Sequence, residues 1–283
     1  MRKIKLIECP RDAMQGWATF IPTEQKIAYL NKLLEVGFDT LDFGSFVSSK
    51  AIPQLADTKA VIPKLRLTNT KLLAIIANTR GAEEAVQYDE VSYLGFPFSI
   101  SETFQQLNTH SSIAGSLGRV EEIQQLCVQH RKQLVIYISM AFGNPYGEAY
   151  NTDIAIHWVN ELQKRGISIF AMSDTVGVSN PQNIQTIFSG LLTEFPSLEF
   201  GAHFHSTPES AVEKIEAALQ GDCLRFDSAI GGVGGCPMAQ NDLVGNLATE
   251  QLLGFLEQQG YEMSLNKEAL YDAQAMASAI FRV

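Results

Sequence analysis

Two histidines close the run "LEFGAHFH" (198–205): His203 and His205, in a chain of 283 residues with only five histidines. On a strand, successive side chains face opposite sides, so the two imidazoles share a face about 6–7 Å apart and Phe204 points away. Such a pair can ligate one metal ion, or it can serve as a hydrogen-bonded packing pair. "RDAMQ" (11–15) offers Asp12 as a carboxylate partner, with a local Arg11–Asp12 ion pair as the plainer reading. "GGVGGCPMAQN" (231–241) sets Cys236 among glycines and a proline. Its backbone N–H groups can cradle a phosphate, or the loop can carry the thiol over a site as acid or nucleophile. Glu8, Asp42, Ser139 and Asp174 each stand near the end of an apolar run.

Those runs are the elements that must position the chemistry. "KIKLIEC" (3–9), "FDTLDFGS" (38–45), "KLLAIIAN" (71–78), "DEVSYLG" (89–95), "QLVIYISMA" (133–141), "GISIFAMSD" (166–174), "LEFGAHFH" (198–205) and "CLRFDSAI" (223–230) all read as strands. Between them, segments such as 22–37, 118–132, 151–166, 180–195 and 207–221 carry apolar residues three and four apart. Asn151 and Asn180 are N-cap candidates, and Gly37 and Gly221 mark helix ends. Segment 46–66 is broken by Pro53 and Pro63. Strand–helix alternation implies a parallel sheet, and eight repeats favour a closed (β/α)8 TIM barrel of the α/β class, a fold that typically takes about 250 residues. An open doubly wound sheet is the alternative, although no GxGxxG follows the first strand. With no linker or composition shift, residues 1–283 read as one catalytic domain. The barrel geometry then puts the active site at the C-terminal ends of the strands, where the polar residues gather.

Bulk composition narrows the partners. A net charge of −10 argues against nucleic acid, whose binding needs a basic patch. No apolar stretch is long enough to span a bilayer, and "MRKIKLIECP" begins directly with a strand, so neither a membrane nor a leader is expected. Four cysteines without metal-type spacing read as reduced thiols of a cytoplasmic protein, and Cys9, Cys127 and Cys223 as core residues.

The motifs together resemble those of the 3-hydroxy-3-methylglutaryl-CoA lyases, within the metal-dependent barrel lyases, aldolases and acyl transferases. "RDAMQ", "SFVSSKAIPQLAD", "SDTVGV", "HFH" and "GGVGGCPMAQ…GNLATE" carry the likeness, which runs through nearly the whole chain. The resemblance implies one divalent cation held by Asp12, His203, His205 and Asn246. Mg²⁺ or Mn²⁺ suits that donor set best, and Zn²⁺ or Co²⁺ also fits. It implies an acyl-CoA substrate, retro-Claisen cleavage to acetyl-CoA and acetoacetate, and a homodimer. Arg11 would stabilise charge on the thioester oxygen, and Asp42 would orient Arg11 or a metal water. Cys236 would protonate the enolate carbon or relay a proton, with Asp174 and His203 as further proton-transfer candidates.

Four departures mark this chain. The Lys that follows the first motif in many lyases is missing, with Trp17-Ala18 there instead; Asp42 stands where the family usually has Glu, and Ser206 where it has Asp. The loop reaches "GN" through one extra residue. They keep open an acetyl-CoA-condensing synthase of the citramalate or homocitrate kind, or a 4-hydroxy-2-oxo acid aldolase. A non-catalytic metal-binding barrel is a third reading. The chain ends at Val283, without the long C-terminal additions of the synthases, which favours a lyase.

Overall fold

A computed structural model describes residues 3–235 and 244–282. The strands are β1 (Lys5–Glu8), β2 (Thr40–Ser45), β3 (Lys71–Ile75), β4 (Val91–Ser99), β5 (Gln133–Ser139), β6 (Ile169–Asp174), β7 (Glu199–Phe204) and β8 (Arg225–Ser228). They pair in parallel in chain order, and β8 pairs with β1 to close the barrel. This is the (β/α)8 TIM barrel that the alternation of elements implies.

Helices fill the crossovers where the sequence supplies caps. Asn151 accepts from the Ile154 amide to start Thr152–Gln163, and Asn180 makes a capping box with Asn183 at the head of Pro181–Glu194. Gly37 ends Thr23–Val36 with φ +87°, a conformation that glycine adopts at little cost. The proline-broken stretch after β2 forms only short turns, Pro53–Leu55, Thr58–Val61 and Ile62–Lys64.

One boundary differs from expectation. The fourth strand reads as ending at Gly95, yet β4 continues through Phe96-Pro97-Phe98 to Ser99. Gly95 is there for space: a Cβ would lie 2.5 Å from Ile75 Cδ1 and 3.0 Å from the Tyr137 ring. The glycine is a packing concession inside the barrel, so it does not stop the strand.

Two apolar bodies hold the fold. The larger lies between barrel and helices, where Phe204 packs edge-on against Phe142 at 5.5 Å and against Phe188 at 6.4 Å. The smaller fills the lower barrel interior with Leu73, Val135, Tyr137, Ile169 and Ala171. Above it the interior turns polar, and the polar layer is the candidate site.

Candidate active site

Asp12 comes from the helix Pro10–Gln15, which starts directly after β1 with a proline in its first turn. His203 and His205 come from β7 and the residue beyond it, their ring centroids 5.6 Å apart. Donor atoms of Asp12, His203 and His205 all lie within 4.8 Å of one another, and all three residues are buried. Asn246 is brought beside them by an antiparallel bridge to His205. Its amide donates to the Val233 carbonyl at 2.9 Å, and its proximity helps to lower the Asp12 pKa. Gly234 closes over this corner with φ +96°. A Cβ there would sit 2.6 Å from the Asp12 carbonyl and 2.7 Å from Asn246 Nδ2, so only glycine fits.

Arg11 lies between two carboxylates. Nη1 donates to Asp12 Oδ1 at 2.6 Å and to Gln15 Oε1 at 2.9 Å. Nε and Nη2 make a fork onto Asp42, with Nη2 to Oδ2 at 2.5 Å. Asp42, one methylene shorter than glutamate, still grips the Nε–Nη2 edge of the guanidinium, and Asp12 and Gln15 take Nη1. Among the described residues these bonds use four of the five N–H groups, which leaves one Nη2 hydrogen for a ligand.

The electrostatics follow from burial and neighbours. Burial works to raise the Asp12 pKa, but Arg11 and the two histidines outweigh it and bring it down to about 2. Burial, with the His203 charge adding to it, pushes His205 down to about 4, so its imidazole is neutral at pH 7. Burial raises Asp42 to about 6 despite Arg11. Burial also opposes protonation of His203, yet the Asp227 hydrogen bond and the Asp227 and Asp12 charges raise its pKa. An ionised carboxylate, a neutral imidazole, a second imidazole and an amide in one buried corner are a fitting donor set for a divalent cation.

A cavity of about 460 Å³ opens above the cluster, lined by Arg11, Asp12, Tyr137, His203 and His205 on its floor. Its wall is largely apolar, with Ile52, Pro97, Phe104 and Leu107. Among the described residues it lies at the C-terminal ends of the strands, as the barrel geometry requires.

Two expectations need correcting. Asp174 does not join the cluster. Along β6 the odd-numbered residues Ile169 and Ala171 face the barrel interior and Ser173 lines the cavity, so Asp174 faces the helix layer. There it accepts from the Lys214 ammonium at 2.7 Å, the Ser179 hydroxyl at 2.5 Å and the Val178 amide at 2.9 Å. Lys214 also donates to the His205 carbonyl at 2.9 Å, so the buried pair anchors the strand end that carries the ligand. Among the described residues, Asp174 thus spends its carboxylate on the helix layer and not on the cavity. Glu8 also faces outward, binding the Ile230 amide and the Thr249 hydroxyl. Cys236 lies outside the described residues. Cys9, Cys127 and Cys223 are buried, in keeping with a core role.

The sequence reading missed Asp227 of β8. It is fully buried inside the barrel, and its Oδ2 lies 3.1 Å from His203 Nδ1. Cys9, His203 and Asp227 form a second group of close donor atoms. Burial and three nearby carboxylates hold the Cys9 thiol well above its ordinary pKa, which keeps it protonated and a poor ligand.

Comparison with known proteins bears on the same residues' context. The chain matches the HMGL-like family over residues 3–277. It is 32% identical over 265 residues to the hydroxymethylglutaryl-CoA lyase YngG of Bacillus subtilis, covering 93% of this chain and 88% of that protein. It is 32% identical over 283 residues to a 3-hydroxy-3-isohexenylglutaryl-CoA/hydroxy-methylglutaryl-CoA lyase of Pseudomonas aeruginosa, covering 99% and 93%. Among solved structures, an HMG-CoA lyase of A. baumannii in complex with coenzyme A and 3-methylmalate superposes with a TM-score of 0.91 at 31% identity, covering 99% and 92%. The HMG-CoA lyase of Brucella melitensis gives a TM-score of 0.92 at 26% identity over both whole chains.

Proposed function

The chain belongs to the HMGL-like family and is a carbon–carbon lyase, and from that premise we propose that it cleaves 3-hydroxy-3-methylglutaryl-CoA, or a close 3-hydroxyacyl-CoA, to acetyl-CoA and acetoacetate. The observation that carries this reading is the buried Asp12–His203–His205 corner beneath the cavity, with Arg11 held against it by Asp42. The family is generally divalent-metal dependent, and Asp12, His203, His205 and Asn246 would hold the cation, with Mg²⁺ or Mn²⁺ preferred. Bound there, it supplies Lewis acidity toward the substrate's oxygen atoms.

The chain's own residues account for the rest. In the cleavage the C2–C3 bond breaks, the tertiary hydroxyl oxygen becomes the acetoacetate carbonyl, and C2 is left as a thioester enolate. Arg11 turns its unspent Nη2 hydrogen to the thioester oxygen, where charge develops. Asp42 holds the guanidinium in that direction. The hydroxyl proton must end on C2, so one group that takes it and returns it balances the reaction; Cys236 is our candidate. His203 spends Nδ1 on Asp227 and has only Nε2 for the mouth. We therefore assign it to the cation rather than to proton transfer.

A single domain over residues 1–283, a homodimer and a cytoplasmic setting belong to the same proposal. Among the described residues no helix is long and apolar enough to cross a membrane, and the relatives include proteins named as cytoplasmic and as mitochondrial. The test is product analysis. The protein is incubated with 3-hydroxy-3-methylglutaryl-CoA and, separately, with acetyl-CoA plus 2-oxo acids. Equal yields of acetyl-CoA and acetoacetate in the first support the lyase. Free CoA released only in the second would replace it with a synthase.

A further inference from the structure

We propose that Asp227, backed by Arg225, is a positioning residue that sets the tautomer and direction of the His203 ring, so that Nε2 faces the cation corner. The inference rests on the reading of His203 as a ligand. Three observations on β7, β8 and β5 carry it.

First, His203 and Asp227 are directly paired in the β7–β8 register, and both side chains face the barrel interior. Asp227 Oδ2 lies 3.1 Å from His203 Nδ1. A carboxylate accepts and does not donate, so Nδ1 carries the hydrogen and Nε2 keeps its lone pair. Second, the other carboxylate oxygen faces Arg225 Nη1 at 3.5 Å. Nearer hydrogen-bond partners are absent for both atoms among the described residues. Gly201 on β7 leaves room for this guanidinium: a Cβ there would lie 2.5 Å from Arg225 Nη1. Arg225 reaches Glu199 on its other side at 3.4 Å. Third, the Tyr137 ring of β5 stands edge-on to the His203 ring, with centroids 5.4 Å apart and planes at 89°. It limits rotation of the imidazole about its Cβ–Cγ bond.

Barrel interiors are usually filled by branched apolar residues. A buried arginine–aspartate pair is seldom more stabilising than apolar side chains of the same volume. Here it ends on one nitrogen of one candidate ligand, and that is the arrangement by which an outer carboxylate orients a metal-binding imidazole.

Asp227→Asn separates orientation from bulk. Arg225 only donates, so it draws the amide oxygen and turns the amide N–H toward His203 Nδ1. That nitrogen must then accept, and the ring hydrogen moves to Nε2. Mn²⁺ titration followed by EPR is expected to show a roughly 10- to 100-fold weaker dissociation constant than wild type. Asp227→Glu, which keeps the carboxylate, should recover part of that loss. In ¹⁵N-histidine NMR of the metal-free proteins between pH 7 and 10, with His203 assigned by His203→Asn, neutral wild type should show an Nδ1–H ring and D227N an Nε2–H ring. Equal Mn²⁺ affinity and an unchanged tautomer in D227N would overturn the proposal. If D227N does not fold, the wild-type spectrum still decides, because an Nε2–H ring there contradicts the proposal by itself. A wild-type protein that shows the Nδ1–H ring but takes up no Mn²⁺ would count against the ligand reading in the function proposed above, and it would overturn the positioning role with it.

Discussion

Glu8→Gln should change how stability depends on pH while leaving the candidate site untouched. Glu8 lies in the helix layer, where Oε1 accepts from the Ile230 amide at 2.9 Å and Oε2 lies 2.6 Å from the Thr249 hydroxyl. The Thr249 oxygen also lies 2.9 Å from the Ser228 hydroxyl. Thr249 has a single hydrogen, so a protonated Glu8 donating to Thr249, which donates to Ser228, satisfies all three groups. Burial, the dominant cause, pushes the Glu8 pKa from 4.5 to about 8. The folded chain therefore keeps a proton that the unfolded chain gives up near pH 4.5. That contribution is full below pH 4.5 and is lost as pH rises through about 8, at roughly 1.4 kcal/mol per pH unit. The whole interval is worth about 5 kcal/mol as an upper bound. Glutamine imitates the protonated form: its oxygen accepts from Ile230 and its nitrogen donates to Thr249. The extra N–H adds a pH-independent cost of about 1–3 kcal/mol if it stays unpaired. Urea unfolding of both proteins at pH 5, 6, 7 and 8 is the assay. The stability difference should move in favour of E8Q at every step, approaching 4 kcal/mol across the range. A difference that stays constant from pH 5 to 8 would refute the claim that Glu8 is buried with its proton.

Three further outcomes are expected. His205→Ala should lose bound Mn²⁺ and turnover together while its circular dichroism stays native; activity retained in metal-free buffer would count against the cation site. Cys236→Ala should cut turnover at least a hundredfold, the lower range for a lost acid–base group, with metal content by atomic absorption unchanged. Lys214→Met strands the buried Asp174 carboxylate and should cost about 3–5 kcal/mol in denaturant unfolding; a loss under 1 kcal/mol would show that the pair does not anchor the β6 and β7 ends.

What the sequence made legible, and what it hid, has one physical cause. Alternation of apolar strands and amphipathic helices is a strong signal, and it located all eight strands to within a few residues. The His203–His205 spacing also worked, because a period of two puts both rings on one face wherever the strand lies. Absolute parity was hidden. Strands of a parallel barrel are buried on both faces, so "FAMSD" gives no sign that Ser173 faces in and Asp174 out. Glu8 was read toward the mouth for the same reason. Asp227 left one usable clue: Arg225 and Asp227 are charges two apart in an apolar run, hence on one face, and both are buried. Lys214 left none, since a lysine on an amphipathic helix ordinarily reaches solvent. The expected end of the fourth strand falls short at Gly95 because close packing against Ile75 and Tyr137 is a tertiary fact.

The central claim is that this barrel breaks a carbon–carbon bond with the help of a cation in the Asp12–His203–His205 corner. It is tested most directly by a coupled assay of acetyl-CoA release from 3-hydroxy-3-methylglutaryl-CoA, run with Mg²⁺ or Mn²⁺ and again with EDTA. Release with either cation that EDTA abolishes and added metal restores is the predicted result. Release that continues unchanged in EDTA, or no release from a protein that demonstrably holds the cation, would contradict it.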